Sequence, residues 1–365
     1  MKLGIITHYD VHNHGALLQL HSLKTVLKSL GHEAIALRFK HNYDFLDGDA
    51  ENKYNITLKS IPFYIGYLLK KGLPITYFNY RKKKILDNFK AERELVGDYY
   101  SHSKDIDAIF IGSDEVFSIE CGIVPILWGF GSTTKNIYSY AASFGPTTLE
   151  WIKQKNATEF IRGGISNISK ISVRDENSRK IIENLSNKQV EMVCDPVILY
   201  GYEKEIKEFT KPENYKYILI YSYDNNMNKE EEIKKIKEFA DKRNLKIISV
   251  GFYHKWCDKS INVSPIELIR YINGAELVIT DTFHGSVISI ITNSEFITKI
   301  RGNGNKLRFL LKQHGLEHRI TENFENIEEI VNTKINYDNV NKIIKNEREE
   351  SIKFLKSCLE NNVNE

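Results

Sequence analysis

The feature that most limits how this chain can fold is an alternation of short apolar strands and amphipathic helices that begins at its N-terminus. Residues 3–7 and 33–39 are apolar runs typical of buried strands. Between them, leucines at spacings of three and four residues predict a helix, at Leu20, Leu23, Leu27 and Leu30. Strand, helix and strand in this order indicate a βαβ unit and therefore a parallel sheet.

The same alternation continues and then restarts in the second half of the chain. Further strands are predicted in the first half at 108–112, 137–142, 171–174 and 190–194. Four strands are expected in the second half, at 217–223, 247–252, 277–280 and 296–300. The pattern predicts an α/β protein with two Rossmann-like domains facing across a cleft, the glycosyltransferase-B-like arrangement, in which ligands bind at the carboxyl ends of the strands.

The expected domain boundaries follow from this pattern. An N-terminal α/β domain over 1–200 would form the acceptor side of the cleft, with an insertion at 41–100 that contains helical pieces. A Rossmann-like domain over 214–333 would form the donor side. Residues 334–365 are expected to form a long C-terminal helix that packs back across both domains.

Composition and missing motifs exclude several classes of protein. A chain of 365 residues with a net charge of +3 has room for two domains but lacks the basic surface of a nucleic-acid-binding protein. No apolar window is long enough to span a membrane, and the four cysteines form no CxxC pair, so a cytoplasmic protein is expected. The P-loop, dinucleotide-binding, zinc-protease and serine-hydrolase motifs are all missing.

The strongest candidate for chemistry is the segment 280–286, where an apolar strand runs into a polar turn and then an apolar helix. The N–H groups at such a helix start favour an anion. His284 can donate to a phosphate or carboxylate, or supply a proton. Thr282 and Gly285 are expected to contact the ligand, Gly285 by letting it approach the backbone. The alternative is a helix capped by Thr282 and a histidine that only packs.

Arg174 ends a predicted strand, and Asp175 is placed to cap the helix that follows. The guanidinium group of an arginine there can bind a substrate carboxylate through two parallel hydrogen bonds. The alternative is an arginine paired with an acidic side chain at the protein surface.

The apolar run 108–111 delivers Ser113 and Asp114 to the same edge of the sheet. Asp114 is a candidate general base for a sugar hydroxyl, with Glu115 as a second candidate, and the alternative for Asp114 is a helix cap. A strand end of small residues that includes Ser143 permits close approach of a ligand to the backbone. Ser113 and Ser143 are therefore expected to bind substrate.

The loop 8–16 contains Asn13 and Gly15, which are expected to bind substrate in the cleft. A metal site is the less favoured interpretation, because the spacing lacks the helical pairing of metal ligands. It would use His8, Asp10, His12 and His14.

Basic residues cluster after the helix of His284, interrupted by two glycines. They are expected to form a mobile cationic lid over a phosphate, with Arg308 among the substrate-binding groups. The alternative is a solvated run of charges. The residues are Lys299, Arg301, Lys306 and Arg308.

In order along the chain, these motifs resemble those of the polysaccharide pyruvyl transferase family. The resemblance covers most of the chain except the insertion and the last thirty residues or so. Glu115 stands where the family usually has Gln, and Thr282 replaces Ser. The matching elements are NHGALLQ from Asn13, GSD from Gly112, YAASFG from Tyr140, SVRD from Ser172, Asp195-Pro196, TDTFHG from Thr280, and Arg308 with Leu310 and Leu311.

The resemblance implies transfer of an enolpyruvyl group from phosphoenolpyruvate to two hydroxyls of a sugar, which gives a cyclic ketal and phosphate. It implies that Arg174 and His284 bind the donor, and that no metal or cofactor is required. His284 is the expected acid and Asp114 the expected base. The acceptor would be a sugar or a lipid-linked oligosaccharide.

Two rival interpretations remain open from the sequence. One is a glycosyltransferase of the same fold that uses a nucleotide-sugar donor. The other is a carbohydrate-binding protein without catalytic activity.

Peripheral membrane contact is predicted for the segment 61–89, where aromatic and aliphatic residues alternate with basic ones. The alternative is a helical insertion that packs on its own domain. The residues are Phe63, Tyr64, Tyr67, Leu68, Leu69, Lys70, Lys71, Arg81, Lys82, Lys83 and Lys84.

Overall fold

The computed structural model describes residues 1–39, 61–103, 105–120, 122–208, 210–302 and 304–360. Side chains are described throughout these ranges except at 61–65 and 67–71. The predicted insertion is therefore described from residue 61 onward, and 40–60 lie outside the description.

Within the described residues, the first half forms a sheet of six parallel strands in the order β2-β1-β3-β4-β5-β6. All six predicted strands of this half are confirmed, with ends that differ by at most three residues. The strands are β1 (Lys2–Ile6), β2 (Glu33–Ala36), β3 (Ala108–Ile111), β4 (Ile137–Ala142), β5 (Lys170–Val173) and β6 (Val190–Met192).

The second half forms another parallel sheet, and its described part has six strands in the order β12-β11-β10-β7-β8-β9. The prediction of four strands was wrong, because the two edge strands have only three and two residues and too few side chains to show a period. The strands are β7 (Tyr217–Tyr221), β8 (Lys246–Val250), β9 (Lys259–Ile261), β10 (Leu277–Thr280), β11 (Phe296–Lys299) and β12 (Ile320–Thr321).

Helices cover both faces of each sheet, so the central strands are buried along their whole length. The helices are α1 (His14–Ser29), α2 (Ile61–Glu92), α3 (Leu149–Gln154), α4 (Thr158–Asn167), α5 (Glu176–Leu185), α6 (Pro196–Tyr200), α7 (Glu203–Lys207), α8 (Glu230–Lys242), α9 (Pro265–Asn273), α10 (Phe283–Ile291), α11 (Asn305–Gln313), α12 (Ile327–Asn332) and α13 (Tyr337–Glu360).

The two halves share one apolar core. A single cluster of buried side chains joins Leu17 and Leu20 of α1 to Leu268 of α9 and Val287 of α10. Burying apolar surface on both sides of the boundary holds the halves together at about 25 cal/mol per Å² removed from water. The predicted cleft between two facing α/β halves is confirmed, and this shared core forms its floor.

The expected C-terminal helix is confirmed as α13, and it contacts both halves. In the first half, Lys170 donates to the Ser357 carbonyl at 2.6 Å and the Tyr140 ring lies 6.4 Å from that of Phe354. In the second half, His314 at the end of α11 lies 3.3 Å from Glu347. The helix therefore bridges the outer surfaces of the two halves.

Helix α2 occupies most of the described part of the insertion and packs against the second half. It is kinked at Gly72, whose φ of 79° and ψ of 163° are not helical, two residues before Pro74. Lys82 lies inward, 3.8 Å from the centre of the Phe252 ring, which corrects its predicted place in a membrane-facing surface. Among the described residues, none of the helices has the length and hydropathy needed to cross a bilayer.

Candidate active site

A cavity of about 370 Å³ lies in the cleft, where the carboxyl ends of strands from both sheets meet. Its walls are therefore built by loops from both halves, as expected for ligands of such sheets. The lining residues are Asn13, Asp114, Glu115, Gly145, Pro146, Tyr221, Tyr223, Phe252, Asp281, Thr282, Phe283, His284, Arg301, Gly304, Asn305, Lys306 and Leu307.

The turn between β10 and α10 holds His284 at the cavity. Thr282 caps α10 by accepting a hydrogen bond from the Gly285 N–H at 2.9 Å. A Cβ at Gly285 would lie 2.2 Å from the hydroxyl oxygen of Thr280, so this glycine is required for packing. Thr282 and His284 line the cavity as expected, but Gly285 does not, which corrects its predicted contact with a ligand.

The first turn of α1 packs against His284 from the opposite half. Asn13 caps α1 by accepting from the Gly15 N–H at 2.9 Å, and it donates to the Tyr223 hydroxyl at 3.3 Å. A Cβ at Gly15 would lie 2.3 Å from Nδ1 of His284. Gly15 therefore makes room for the imidazole, whereas Asn13 itself lines the cavity.

Arg174 lies beneath the cavity and its side chain is only 2% exposed. Its Nη1 donates to Asp195 at 2.6 Å and its Nη2 donates to Asp114 at 2.8 Å. The two terminal nitrogens of the guanidinium, which were expected to bind a substrate carboxylate, thus bind protein carboxylates instead. Because the guanidinium also lies 4.4 Å from the centre of the Phe283 ring, it joins residues of both halves.

Asp195 connects Arg174 to His284, whose Nε2 lies 3.6 Å from the same carboxylate oxygen. Burial acts to raise the pKa of Asp195, but the charges of His284 and Arg174 outweigh burial and lower it. Asp195 is therefore ionised and places a negative charge beside the imidazole. Sequence reasoning assigned no role to Asp195, although an acidic residue just after a predicted strand was a usable signal.

Asp114 lines the cavity and is ionised. Burial acts to raise its pKa, but the charge of Arg174 outweighs burial, with smaller contributions from His284, His8 and Lys306, and holds the pKa well below its usual range. A carboxylate with so low a pKa accepts a proton poorly. Asp114 therefore needs an added negative charge nearby before it can act as the expected base.

Two serines predicted to bind substrate lie behind the cavity instead of lining it. The Ser113 hydroxyl donates to the Gln19 side chain at 2.5 Å, and the Ser143 hydroxyl donates to Asp175 at 2.7 Å. Both serines are fully buried. Their hydrogen bonds fix the loops after β3 and β4, so the structure corrects their predicted role.

The four basic residues of the predicted cationic lid lie in different surroundings. Arg301 and Lys306 line the cavity, Lys299 is buried in a pair with Glu232, and Arg308 lies outside the cavity at 3.9 Å from Glu322. Arg308 follows Lys306 by two positions, which turns it by about 200° around the helix axis. Lys306 therefore lines the cavity, whereas Arg308, the residue expected to contact substrate, does not.

Each cation of the cavity already has an acidic partner. Arg301 donates to Asp281 at 2.5 Å. Lys306 donates to Glu115 across the cleft, so this pair joins the second half to the first. The backbone N–H groups of α11 begin at Gly304, which has no side chain to cap them. An anion entering the cavity meets two cations and a helix N-terminus.

Four aromatic residues also line the cavity, and sequence reasoning missed them. Tyr221, Tyr223, Phe252 and Phe283 belong to the lining. Burial and the charge of Asp114 raise the pKa of Tyr223 to about 12, so its hydroxyl stays protonated. Aromatic faces with a neutral hydroxyl suit the apolar face of a sugar ring. Tyr221 ends β7, Tyr223 and Phe252 follow β7 and β8, and Phe283 begins α10, so their spacing carried no distinctive motif.

His12 and His14 of the loop 8–16 lie in different environments. His12 lies 3.2 Å from Asp87, whereas His14 is wholly buried and donates to the Val263 carbonyl at 3.0 Å. Burial lowers the pKa of His14 to about 3, so it is neutral and packs between the halves. Over the described ranges, there is no group of three His, Cys, Asp or Glu side chains with the geometry to hold a metal ion.

Solved structures with the same architecture include UDP-N-acetylglucosamine 2-epimerases. The enzyme of Neisseria meningitidis bound to UDP-GlcNAc has a TM-score of 0.53 at 10% identity, covering 98% of this chain and 100% of that one. The Rickettsia bellii protein has a TM-score of 0.51 at 13% identity, covering 98% and 96%. At such identities the likeness shows the fold alone, and it confirms the glycosyltransferase-B-like arrangement.

No curated protein matches the chain in sequence. A family model described as polysaccharide pyruvyl transferase, in contrast, matches residues 13–298. The matched region covers most of the chain and includes Asn13, Asp114, Arg174, Asp195 and His284, which the fold brings together at the cleft. The chain belongs to the polysaccharide pyruvyl transferase family.

Proposed function

We propose that this transferase moves the enolpyruvyl group of phosphoenolpyruvate onto two hydroxyls of a sugar, in a cell-surface polysaccharide or its precursor, on the cytoplasmic side of the membrane. The proposal depends on one observation. A single cavity combines an anion-binding side, a histidine beside a buried carboxylate, and a second carboxylate on the opposite half. Membership of the family supports the reaction class.

The anion-binding side suits phosphoenolpyruvate, which carries about three negative charges at neutral pH and therefore needs cations and N–H donors around it. Arg301 and Lys306 supply the positive charges, and the first turn of α11 supplies N–H groups. In this arrangement the donor displaces Glu115 from Lys306 and Asp281 from Arg301. The carboxylates of the protein thus hold the cations where the anion will bind.

His284 is the proposed acid. Its Nε2 is buried and has no hydrogen-bond partner, although it lies 3.6 Å from the Asp195 carboxylate. A proton on Nε2 passes to the methylene carbon of phosphoenolpyruvate, whose double-bond electrons form the new C–H bond. The neighbouring carbon becomes cation-like and is attacked by the first sugar hydroxyl.

Asp114 is the proposed base, and the donor itself activates it. A trianion bound beside Asp114 raises the pKa of that carboxyl, because a nearby like charge disfavours the ionised form. Asp114 takes the proton of the first hydroxyl and passes it to the departing phosphate, which leaves with the electron pair of the C–O bond. The second hydroxyl then closes the ketal and its proton returns to His284, so protons and electrons balance.

Arg174 is a positioning residue in this proposal. Its two hydrogen bonds hold Asp114 and Asp195 at fixed places relative to each other. Lysine cannot replace it, because an ammonium group lacks the planar pair of donors. Donor affinity and turnover therefore both depend on Arg174 through the carboxylates it holds.

The test is an assay of the purified protein with phosphoenolpyruvate and a panel of sugars that offer a diol, both free and lipid-linked. The expected result is phosphate release that requires an acceptor, together with an acceptor product whose mass corresponds to a pyruvate ketal. Release of nucleotide from a nucleotide sugar, with phosphoenolpyruvate left intact, would instead identify a glycosyltransferase. Sugar binding without turnover of either donor would identify a carbohydrate-binding protein.

A further inference from the structure

The outer face of helix α2 carries an exposed stripe of apolar and aromatic side chains. Leu73 is 73% exposed, Tyr77 62% and Tyr80 56%. At about 100° per residue, Tyr77, Tyr80 and Lys84 all lie within about 40° of Leu73 around the helix axis. These four side chains therefore form one continuous line along the surface, which we call the α2 stripe.

The opposite face of α2 anchors the helix to the protein. Phe78, Lys82, Leu86 and Phe89 are all buried, and they lie on the far side of the axis from the α2 stripe. The side-chain amide of Asn262 in the second half also donates to the Phe78 carbonyl at 2.9 Å. The α2 stripe thus belongs to a helix that is already fixed, so its exposure does not result from a loose segment.

Positive charge surrounds the α2 stripe. Exposed Arg81 and Lys83 flank it at about 80° on either side of the helix axis, and the ammonium group of Lys84 lies 5.3 Å from the centre of the Tyr80 ring. Residues 61–86 contain six lysines and arginines and no aspartate or glutamate. The first acidic residue, Asp87, is paired with Lys90 at 2.8 Å.

We propose that the α2 stripe docks this protein on an anionic membrane surface. Tyrosine and leucine side chains enter the boundary between head groups and acyl chains, while the flanking cations bind acidic head groups. A protein partner of ordinary composition could bury the apolar side chains, but its mixed charges would not neutralise a surface that carries only positive charge. The complementarity of charge thus favours anionic lipid.

The position of α2 gives this docking a consequence for the substrate. Lys82 on its inner face packs on Phe252, which lines the cavity. The cavity wall therefore lies one helix diameter, about 10 Å, from the docked surface. If the proposed function holds, a lipid-linked acceptor is the substrate class that this geometry serves, since its sugar stays close to the bilayer.

Vesicle flotation of the full chain at low salt tests the docking, without phosphoenolpyruvate or acceptor. We expect flotation with vesicles of equal parts phosphatidylcholine and phosphatidylglycerol, loss of flotation at high salt, and none with phosphatidylcholine alone. K83Q combined with K84Q should weaken partition roughly 30-fold, the effect of removing two lysines from an anionic surface. Y77S combined with Y80S should also weaken it.

The matched control is K234Q combined with K237Q on α8, which changes the same charge at another exposed helix and should float like the parent. Equal weakening by the control pair, or no flotation at low salt, would overturn the proposal. A dimer in sedimentation that Y77S with Y80S dissociates, without flotation, would assign the α2 stripe to a second copy of the chain. None of these results bears on phosphoryl or pyruvyl chemistry, so the two proposals fail separately.

Discussion

Asp114 and Glu115 are adjacent acidic residues at the cavity, but their basic partners belong to different halves of the molecule. We therefore expect them to act differently. Asp114 is bonded to Arg174 within its own half, whereas Glu115 reaches Lys306 in the other half. In the proposed function, the first arrangement keeps a carboxylate beside the hydroxyl that loses its proton. In the same proposal, the second places a carboxylate on a cation that the donor would bind. Two substitutions separate these roles.

Asp114→Asn should not weaken the affinity for phosphoenolpyruvate, because it removes a negative charge beside the donor. Turnover should fall by roughly two orders of magnitude or more, since the amide cannot accept the hydroxyl proton. Calorimetry measures the affinity, and phosphate release measures the turnover. A folded variant with normal turnover would mean that the base is another group.

Glu115→Gln should raise the affinity for phosphoenolpyruvate, because the donor no longer competes with a carboxylate for Lys306. A partly exposed ion pair is worth at most about 1 kcal/mol, so the gain should be up to about fivefold. Turnover at saturating donor should not collapse, which makes this variant the control for Asp114→Asn. Weaker binding of the donor would show that Glu115 supports the donor site.

Much of the candidate site was predictable from single residues, but their partners were not. Asp114, Thr282 and His284 were expected at the ends of strands, and the structure brings them to one cavity. Arg174 was expected beside them as a ligand-binding group, yet two carboxylates hold it. A strand-end position is visible in sequence, whereas a hydrogen bond between residues far apart in the chain depends on how the elements pack.

Helix α11 is the element that carries the cationic side of the cavity, and α13 supports it from behind. Lys306 lies in the first turn of α11, while His314 follows its last turn and lies 3.3 Å from Glu347 of α13. Burial acts to lower the pKa of His314, but the hydrogen bond and charge of Glu347 outweigh burial and raise it. Docking of α13 on α11 is therefore linked to pH.

The linkage has a definite sign. Because the pKa of folded His314 lies above its unfolded value of about 6.5, its stabilisation is complete below that value and is lost as pH rises through the folded pKa. Glu347→Gln should cost about 1.5–3 kcal/mol at mildly acidic pH and much less at alkaline pH, where His314 is neutral. Thermal unfolding of parent and variant across this range measures the difference, and a cost independent of pH would contradict it.

Buried strands with apolar runs of four to six residues were the most readily predicted elements, and two short edge strands were missed. The buried strands β3, β4, β7 and β10 showed such runs, because both of their faces are covered. The edge strands β9 and β12 are too short and too polar to show any pattern. Lys306 and Arg308 are only two positions apart, so they lie on different faces of α11. Only the structure shows that the face of Lys306 is the one that lines the cavity.

At the scale of the whole molecule, the site exists only because the two halves are joined. Asn13 bonds Tyr223, Lys306 bonds Glu115, and His284 packs over Gly15, and each of these contacts crosses the cleft. The alternation of strands and helices predicted two facing halves. It did not predict which residues meet across the cleft, since their separation in sequence carries no local signal.

Titration calorimetry with phosphoenolpyruvate is the most direct test that this cleft binds the donor. The parent and a His318→Ala control, which changes an exposed histidine outside the cavity lining, should bind it equally. His284→Ala should weaken binding by roughly 10- to 100-fold, because a charge-assisted contact of about 1.5–3 kcal/mol is lost. If the parent binds UDP-GlcNAc but not phosphoenolpyruvate, or if His284→Ala binds phosphoenolpyruvate as tightly as the parent, the proposed donor site is wrong.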